Sequence, residues 1–471
     1  FSSIESIIIP KNVKKIGERA FSNCYHLKKI DFAEPSELKT IEKQAFYNSF
    51  IESLYIPSSV EKLDDEWCFK TPSLNKITIS SNNKNFILVD DSLIFGKKDP
   101  NCLSYTILCF AKRDIEKVSV PSFIESITSC ALVDCNKLQK IEFSNDSKLK
   151  FIGNKAFHYS SINNITIPSH VSQIEDDAFS ICRKLTNIIF DEKSELKIIG
   201  NSTFSATKIE CISIPSNIEE LRDDWCIGLG SLNKITIFEN EVKNVSFFND
   251  SFLLGKSNKD SEIFDILLFA RRDIKIASIP SFVTKISPNS FFGCQNLERV
   301  EFTRDSELKF IGKQAFYSTS IQYISIPSHV IEIGESSFKY TNRIKRIEFS
   351  ENSELLSLGS NIFMNSSLSE IVIPSSVIQI EKSCFYLSRQ LKKIKFEENS
   401  KLLRIDEHAF SCCGFESISI PQSVLYIRKG AFINCIDLKI VEIRSKSMGC
   451  SIQTDLFARC TNVIILIPCQ L

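Results

Sequence analysis

The stretch Ile165-Thr166-Ile167-Pro168-Ser169-His170-Val171, continued by Ile174, Ala178-Phe179, Cys182 and Leu185, decides how this chain is read, because its spacing recurs from end to end. A hydrophobe-Pro step returns at Pro10, Pro57, Pro121, Pro168, Pro215, Pro280, Pro327, Pro374, Pro421 and Pro468, in steps of 47 residues broken by one of 64 and one of 65. Within the period a ring recurs twice, as in Phe316, Phe338, Phe363, Phe385, Phe410, Phe432 and Phe457, at spacings that alternate between 22 and 25. The repeat is a double unit, and about 18 single units fill the 471 residues.

Each unit carries an apolar signature such as Ile162-x-x-Ile165-x-Ile167 or Leu391-x-x-Ile394-x-Phe396. Alternation at its last three positions places the end residues on one face of a strand and the middle residue on the other. One short strand per unit cannot bury its apolar side alone, so the units must stack and pair their strands in parallel. Proline suits the strand exit, because it lacks a backbone donor. The glycines of Ile16-Gly17, Ile152-Gly153, Ile199-Gly200, Ile311-Gly312 and Ile333-Gly334 suit bends that need positive φ. The recurrent Ala-Phe pair, as in Ala20-Phe21 and Ala409-Phe410, drives one ring per coil into the interior and accounts for much of the total of 37 Phe.

These strings resemble the BspA-type, or Treponema-type, leucine-rich repeat over nearly the whole chain, and are similar to surface-antigen families of parasitic protists. The resemblance implies a right-handed solenoid and, in many members, a cell-surface or extracellular role in adhesion to proteins or glycans of host cells or matrix. The expected fold is a β-dominated leucine-rich-repeat solenoid spanning 1–471, with a parallel concave sheet and short helical or 3-10 turns. The alternative expectation is a structural or intracellular scaffold for protein–protein interaction.

Two places depart from the repeat. Trp67-Cys68 and Trp225-Cys226 stand where other units have Ala-Phe, and each is followed by a longer unit, over 80–117 and 238–276. In each, two apolar runs flank a Gly-Lys-rich polar segment, which reads as a β-hairpin. The exits, Phe110-Ala111-Lys112-Arg113-Asp114-Ile115 and Phe269-Ala270-Arg271-Arg272-Asp273-Ile274, are nearly identical. The hairpins are either tolerated insertions carried by an internal duplication or projecting contact sites with Lys97, Lys98, Lys256 and Lys259 at their tips.

On the outward strand face a base stands two places before an acid in Lys29-x-Asp31, Lys140-x-Glu142, Arg299-x-Glu301 and Arg346-x-Glu348. This face is either a solvated surface with opposite charges stacked between units or a docking strip in which Tyr55 and Tyr323 are aromatic anchors.

Seventeen cysteines suggest disulfides, yet Cys24, Cys135, Cys182, Cys294, Cys413, Cys435 and Cys460 each follow the anchor position by three, where other units carry Ser or Thr. That pattern expects an interior ladder of thiols, small and mildly polar. The five histidines lie in separate units, and no catalytic, nucleotide-binding or zinc motif occurs, so neither an enzyme nor a cofactor or metal is expected. Lys+Arg and Asp+Glu balance at 57 each, which points away from nucleic acid. No stretch approaches the roughly 20 apolar residues of a membrane span, and no targeting signal opens the chain. Its start at Phe1, within a repeat, reads as a fragment or a processed product.

Overall fold

The computed structural model describes residues 3–237, 244–444, 451–452, 455–460 and 463–466. Phe1, Pro468 and residues 238–243 of the second inserted unit lie outside them. The chain forms two compact units, Phe1–Lys243 and Asn244–Leu471. Each is a β-solenoid, and no helix occurs among the described residues.

Every regular coil contributes two strands rather than the one expected. The longer follows the apolar signature: Asn164–Ile167 lies parallel to Asn187–Phe190, with Ile165 opposite Ile188 and Ile167 opposite Phe190. Both strands alternate exposed and buried residues, as a sheet with one wet face must. A second strand of only two residues follows the proline. Gln173–Ile174 sits between Phe151–Ile152 and Ile198–Ile199, its isoleucine buried. Two ladders of short parallel strands thus bound the core.

The rest of the coil is a run of β-turns, where short helical or 3-10 pieces were expected. The residues two before and two after the interior ring take left-handed backbone: Asp177 and Ile181 about Phe179, Asn361 and Asn365 about Phe363. Asn, Asp and Ser tolerate this conformation, whereas β-branched Ile181 is strained there. Amide hydrogen bonds supply the compensation. Asp177, Phe179 and Ile181 donate to Asn201, Thr203 and Ser205 of the next coil at 2.8, 2.9 and 2.7 Å, while Ala178, Ser180 and Cys182 close turns within their own coil.

The motif glycines do something other than what their sequence position suggested. Gly153, Gly200, Gly312 and Gly334 do not have positive φ; a Cβ on them would lie 2.7, 2.5, 2.5 and 2.6 Å from backbone nitrogen of an adjoining coil. Close approach of coils is what excludes a side chain.

The phenylalanine spine forms as expected. Phe157 and Phe179 stack at 5.0 Å, and in the second unit Phe316, Phe338, Phe363, Phe385, Phe410 and Phe432 continue in steps of 5.1 to 5.7 Å. These rings are fully buried.

The inserted units are larger than hairpins. Leu93–Gly96 and Ile107–Ala111 pair antiparallel as the sequence suggested, but Phe86–Val89 adds an antiparallel strand on the other side. The second unit repeats this meander with Val245–Phe248, Phe252–Gly255 and Ile266–Ala270. Asp90 and Asp91, and likewise Asn249 and Asp250, have positive φ at the first turn, a three-residue loop in which Ser92 and Ser251 donate back to the Val89 and Phe248 carbonyls. The last strand of each meander joins the two-residue ladder in parallel, with Leu108 opposite Ile127 and Leu267 opposite Ile286.

Candidate binding surface

The outward positions of the longer strands are held in a fixed row by the ladder beneath them. In the second unit Arg299 lies beside Tyr323, Tyr323 beside Arg346, and Arg346 beside Glu370. The base and acid of each strand close on one another: Arg299 and Glu301 at 2.6 Å, Arg346 and Glu348 at 2.7 Å, Lys29 and Asp31 at 2.7 Å, Lys140 and Glu142 at 2.6 Å. Pairing is mainly within a strand, so the expected stacking between units is limited to contacts such as Lys117 with Glu142 at 2.9 Å. Hydrogen bonds from Lys140 and Lys117 hold the Glu142 carboxyl down to about 2. The Tyr323 hydroxyl donates to Glu348, and that bond raises its pKa.

Sequence-distant candidates converge here. Arg299, Glu301 and Tyr323 line an open trough of about 1060 Å³ together with Arg304 and Glu351. Arg346 and Glu348 line a trough of about 490 Å³ with Glu370, Lys393 and Lys395. Lys140 and Glu142 line a separate trough of about 820 Å³ in the first unit, beside Asn164 and Thr166. Lys29, Asp31 and Tyr55 share the sheet formed by Lys29–Phe32 and Ser53–Ile56, where Tyr55 leans half-buried on the core.

The loop lysines divide into two kinds. Lys97 lies 5.2 Å over the Tyr105 ring and Lys256 lies 4.8 Å over Phe264, so both are tied down by cation–π contact. Lys98 and Lys259 are exposed. The loops also project apolar residues that sequence reasoning missed: Leu103 is 93 % exposed and Ile263 58 %. An isolated aliphatic residue in a polar loop was their only signal.

The other missed residues are buried arginines at the meander exits. The Arg113 guanidinium donates to the carbonyls of Ala111 and Ala131 at 3.2 and 3.3 Å and to the Cys68 sulfur at 3.0 Å, and it lies 4.4 Å over Phe110. Arg272 likewise donates to the Ser290 carbonyl at 2.7 Å and lies 4.4 Å over Phe269. This explains Trp67-Cys68: a small thiol in place of the ring leaves room for Arg113, and Trp67 refills the space, 5.8 Å from Phe110. The near-identical exit motifs were the available signal.

Cys24, Cys135, Cys182, Cys294, Cys413, Cys435 and Cys460 are free thiols. Their purpose is visible in their bonds. Cys182 and Cys435 donate to the carbonyls of Phe157 and Phe410 in the preceding coil, both at 3.0 Å, and Ser388 does the same to Phe363 at 2.6 Å. Ser49 and Thr341 instead cap the ring residue's carbonyl in their own coil. Burial pushes the Cys135 thiol up to about 11 and Cys182 and Cys435 to about 12, so these groups are neutral and unreactive at physiological pH. His170 and His329 occupy equivalent exposed positions, each 3.0 Å from a glutamate. No group of His, Cys, Asp or Glu that could hold a metal occurs among the described residues.

The family model for the BspA type leucine rich repeat region matches residues 1–88, 107–250, 265–358 and 356–471. The chain belongs to the BspA-type leucine-rich-repeat family. The gaps in this match, 89–106 and 251–264, hold the central strand of each meander and the loop that follows it. A BspA-type repeat is a scaffold of the kind that binds proteins, and catalysis is not indicated. A leucine-rich repeat protein from Eubacterium ventriosum has a similar fold, with 19% identity and a TM-score of 0.56 over 79% of this chain and 98% of its own. The pneumococcal vaccine antigen PcpA matches at 15% identity, with a TM-score of 0.46 over 82% of this chain and 94% of its own. A leucine rich cell surface protein from Faecalibacterium prausnitzii matches at 18% identity, with a TM-score of 0.42 over 100% of this chain and 89% of its own. No curated protein matches the sequence. No described helix is long and apolar enough to cross a membrane.

Proposed function

We propose that this BspA-type chain is a non-catalytic adhesion scaffold at a cell surface, and that the longer-strand face of Asn244–Leu471 docks a protein of another cell or its matrix. The observation that carries this reading is the open trough of about 1060 Å³ in which Arg299, Glu301 and the exposed ring of Tyr323 meet. Charges of both signs around a part-exposed aromatic ring suit a protein ligand, since complementary pairs set register and the ring supplies buried area. Each unit has a further contact region in its own meander loop, with Lys98 and Leu103 in one and Lys259 and Ile263 in the other.

The test is capture of matrix and host-surface proteins by the chain, repeated with Tyr323→Ala and with Arg299→Glu and Arg346→Glu combined. Capture that falls at least about tenfold in both variants supports the strand face. Undiminished capture by both, at low salt, removes it. Loss on enzymatic removal of sugars from the ligand would reassign the trough to glycan.

The reduced thiols favour a second reading, an intracellular scaffold, because thiols in oxidising compartments usually pair. Cell-surface labelling of intact cells with an antibody to this segment separates the two.

A further inference from the structure

The position seven residues before the spine ring faces outward, partly exposed at Ile331 and exposed at Leu356, Ile378, Leu403 and Leu425, and its backbone is tied to the same position in adjacent coils. Leu356 donates to Ile331, Ile378 to Leu356, Leu403 to Ile378 and Leu425 to Leu403. Five consecutive coils of the second unit therefore present Ile or Leu in a single row, and Leu356, Ile378, Leu403 and Leu425 are between 36 % and 54 % exposed. At about 4.8 Å per coil the row is about 19 Å long.

The fold does not require this. In the first unit the same position carries a ladder of ion pairs: Lys39 with Glu61 at 2.5 Å, Lys150 with Glu125 at 3.7 Å, Lys197 with Glu219 at 3.0 Å. One architectural position is solubilised in one unit and aliphatic in the other. Isolated exposed aliphatic residues need no explanation, but a contiguous row does.

The charges beside the row identify its occupant. Two residues before Leu356 stands Glu354, which is exposed and holds His329 at 3.0 Å through one carboxylate oxygen, and two before Leu403 stands Lys401, also exposed. They are symmetric about Ile378. A two-fold axis through Ile378, perpendicular to the row and parallel to the surface, turns the row antiparallel onto itself. Leu356 then meets Leu403 of the other copy, and Glu354 meets its Lys401. On the opposite flank Lys382, at the centre of symmetry, is already neutralised by Glu407 at 3.3 Å. We propose that this row is a self-docking surface on which a second copy of the chain packs antiparallel about Ile378. An isologous contact of this kind uses one patch twice, and the charge order provides its register.

The experiment is sedimentation equilibrium of the whole chain up to about 100 μM, a range that covers weak interfaces. A concentration-dependent monomer–dimer equilibrium is expected. Ile378→Lys, which sets two like charges against each other at the axis, should abolish it. Glu354→Lys or Lys401→Glu alone should weaken dimerisation about tenfold, and the combined swap should restore it. The first unit's lysines at the row position predict that Ile378→Lys folds normally, and unchanged circular dichroism and melting check this. A chain that stays monomeric throughout overturns the proposal. So does a dimer indifferent to Ile378→Lys, or a swap that weakens further instead of restoring; those results assign the row to a different partner.

Discussion

The regular coils and the coil that carries Trp67-Cys68 solve one packing problem in two ways. Where Ala-Phe repeats, interior space is filled by identical rings at nearly constant spacing, and the turn above each ring is closed by amides of its own and the adjoining coil. Where the meander enters, the ladder gains two antiparallel strands and the spine can no longer run straight: Phe46 meets Trp67 edge-on, at 82°. A buried guanidinium then fills the space beside the exit strand and becomes a second donor to a turn carbonyl, Ala131, that already accepts the Ala111 amide. A solenoid accepts an insertion when the interior space it disturbs is refilled, which is why Trp, Cys and the exit Arg occur as a set.

Removing the repair should cost most. Arg113→Ala removes the side-chain donor to the Ala111 and Ala131 carbonyls, leaving Ala131 with the Ala111 amide alone, and opens a cavity, an expected loss of about 5 kcal/mol. The measure is urea denaturation followed by tryptophan fluorescence, both tryptophans lying within residues 1–243. A loss below that of a surface substitution would show the arginine to be a passenger. In the regular spine, Phe385→Ala leaves a gap between rings 5.2 Å away on either side and should cost about 4 kcal/mol by the same titration followed by circular dichroism.

Restoring the repeat should fail where the repair is still present. Trp67→Ala with Cys68→Phe recreates Ala-Phe, but the new ring collides with Arg113, and the expected cost is about 2 kcal/mol from overpacking. A gain in stability would mean that the Trp-Cys pair is not coupled to the arginine. The smallest effect is Cys182→Ser at neutral pH, under about 1 kcal/mol, since Ser388 makes the same bond elsewhere. Alkaline pH should shrink or reverse it. Buried thiols at about 12 stay protonated in the fold while an unfolded thiol ionises near 9, so their stabilisation is complete below pH 9 and is lost as pH rises towards 12. Melting temperature should fall across that window in the unaltered chain and less steeply with Cys182→Ser and Cys435→Ser combined.

The spine and the longer strands were legible because they obey a period: one ring per coil and strict alternation across the strand. Gln173–Ile174 was not, since a two-residue strand with one buried residue has no alternation to read. Phe86–Val89 went unrecognised because an aliphatic run ahead of a hairpin does not say which edge it joins. Arg113 misleads by its charge, which in a sequence points outward. Among the site candidates, the bases and acids of the strand face were readable from their spacing. That Arg299, Glu301 and Tyr323 share one trough depends on inter-coil register, which no single unit contains. Leu356, Ile378, Leu403 and Leu425 were hidden for the opposite reason, because aliphatic residues among aliphatic residues read as core.

The alternating turn amides give regular coils such as that of Phe179 two clocks. Asp177, Phe179 and Ile181 bond across to the next coil, whereas Ala178, Ser180 and Cys182 bond within their own. Local fraying of a turn releases the second set; parting of neighbouring coils releases the first. In amide hydrogen exchange, protection along such a stretch should therefore alternate residue by residue, and the ratio of the two rates reads out, coil by coil, how strongly each layer of the solenoid adheres to the next.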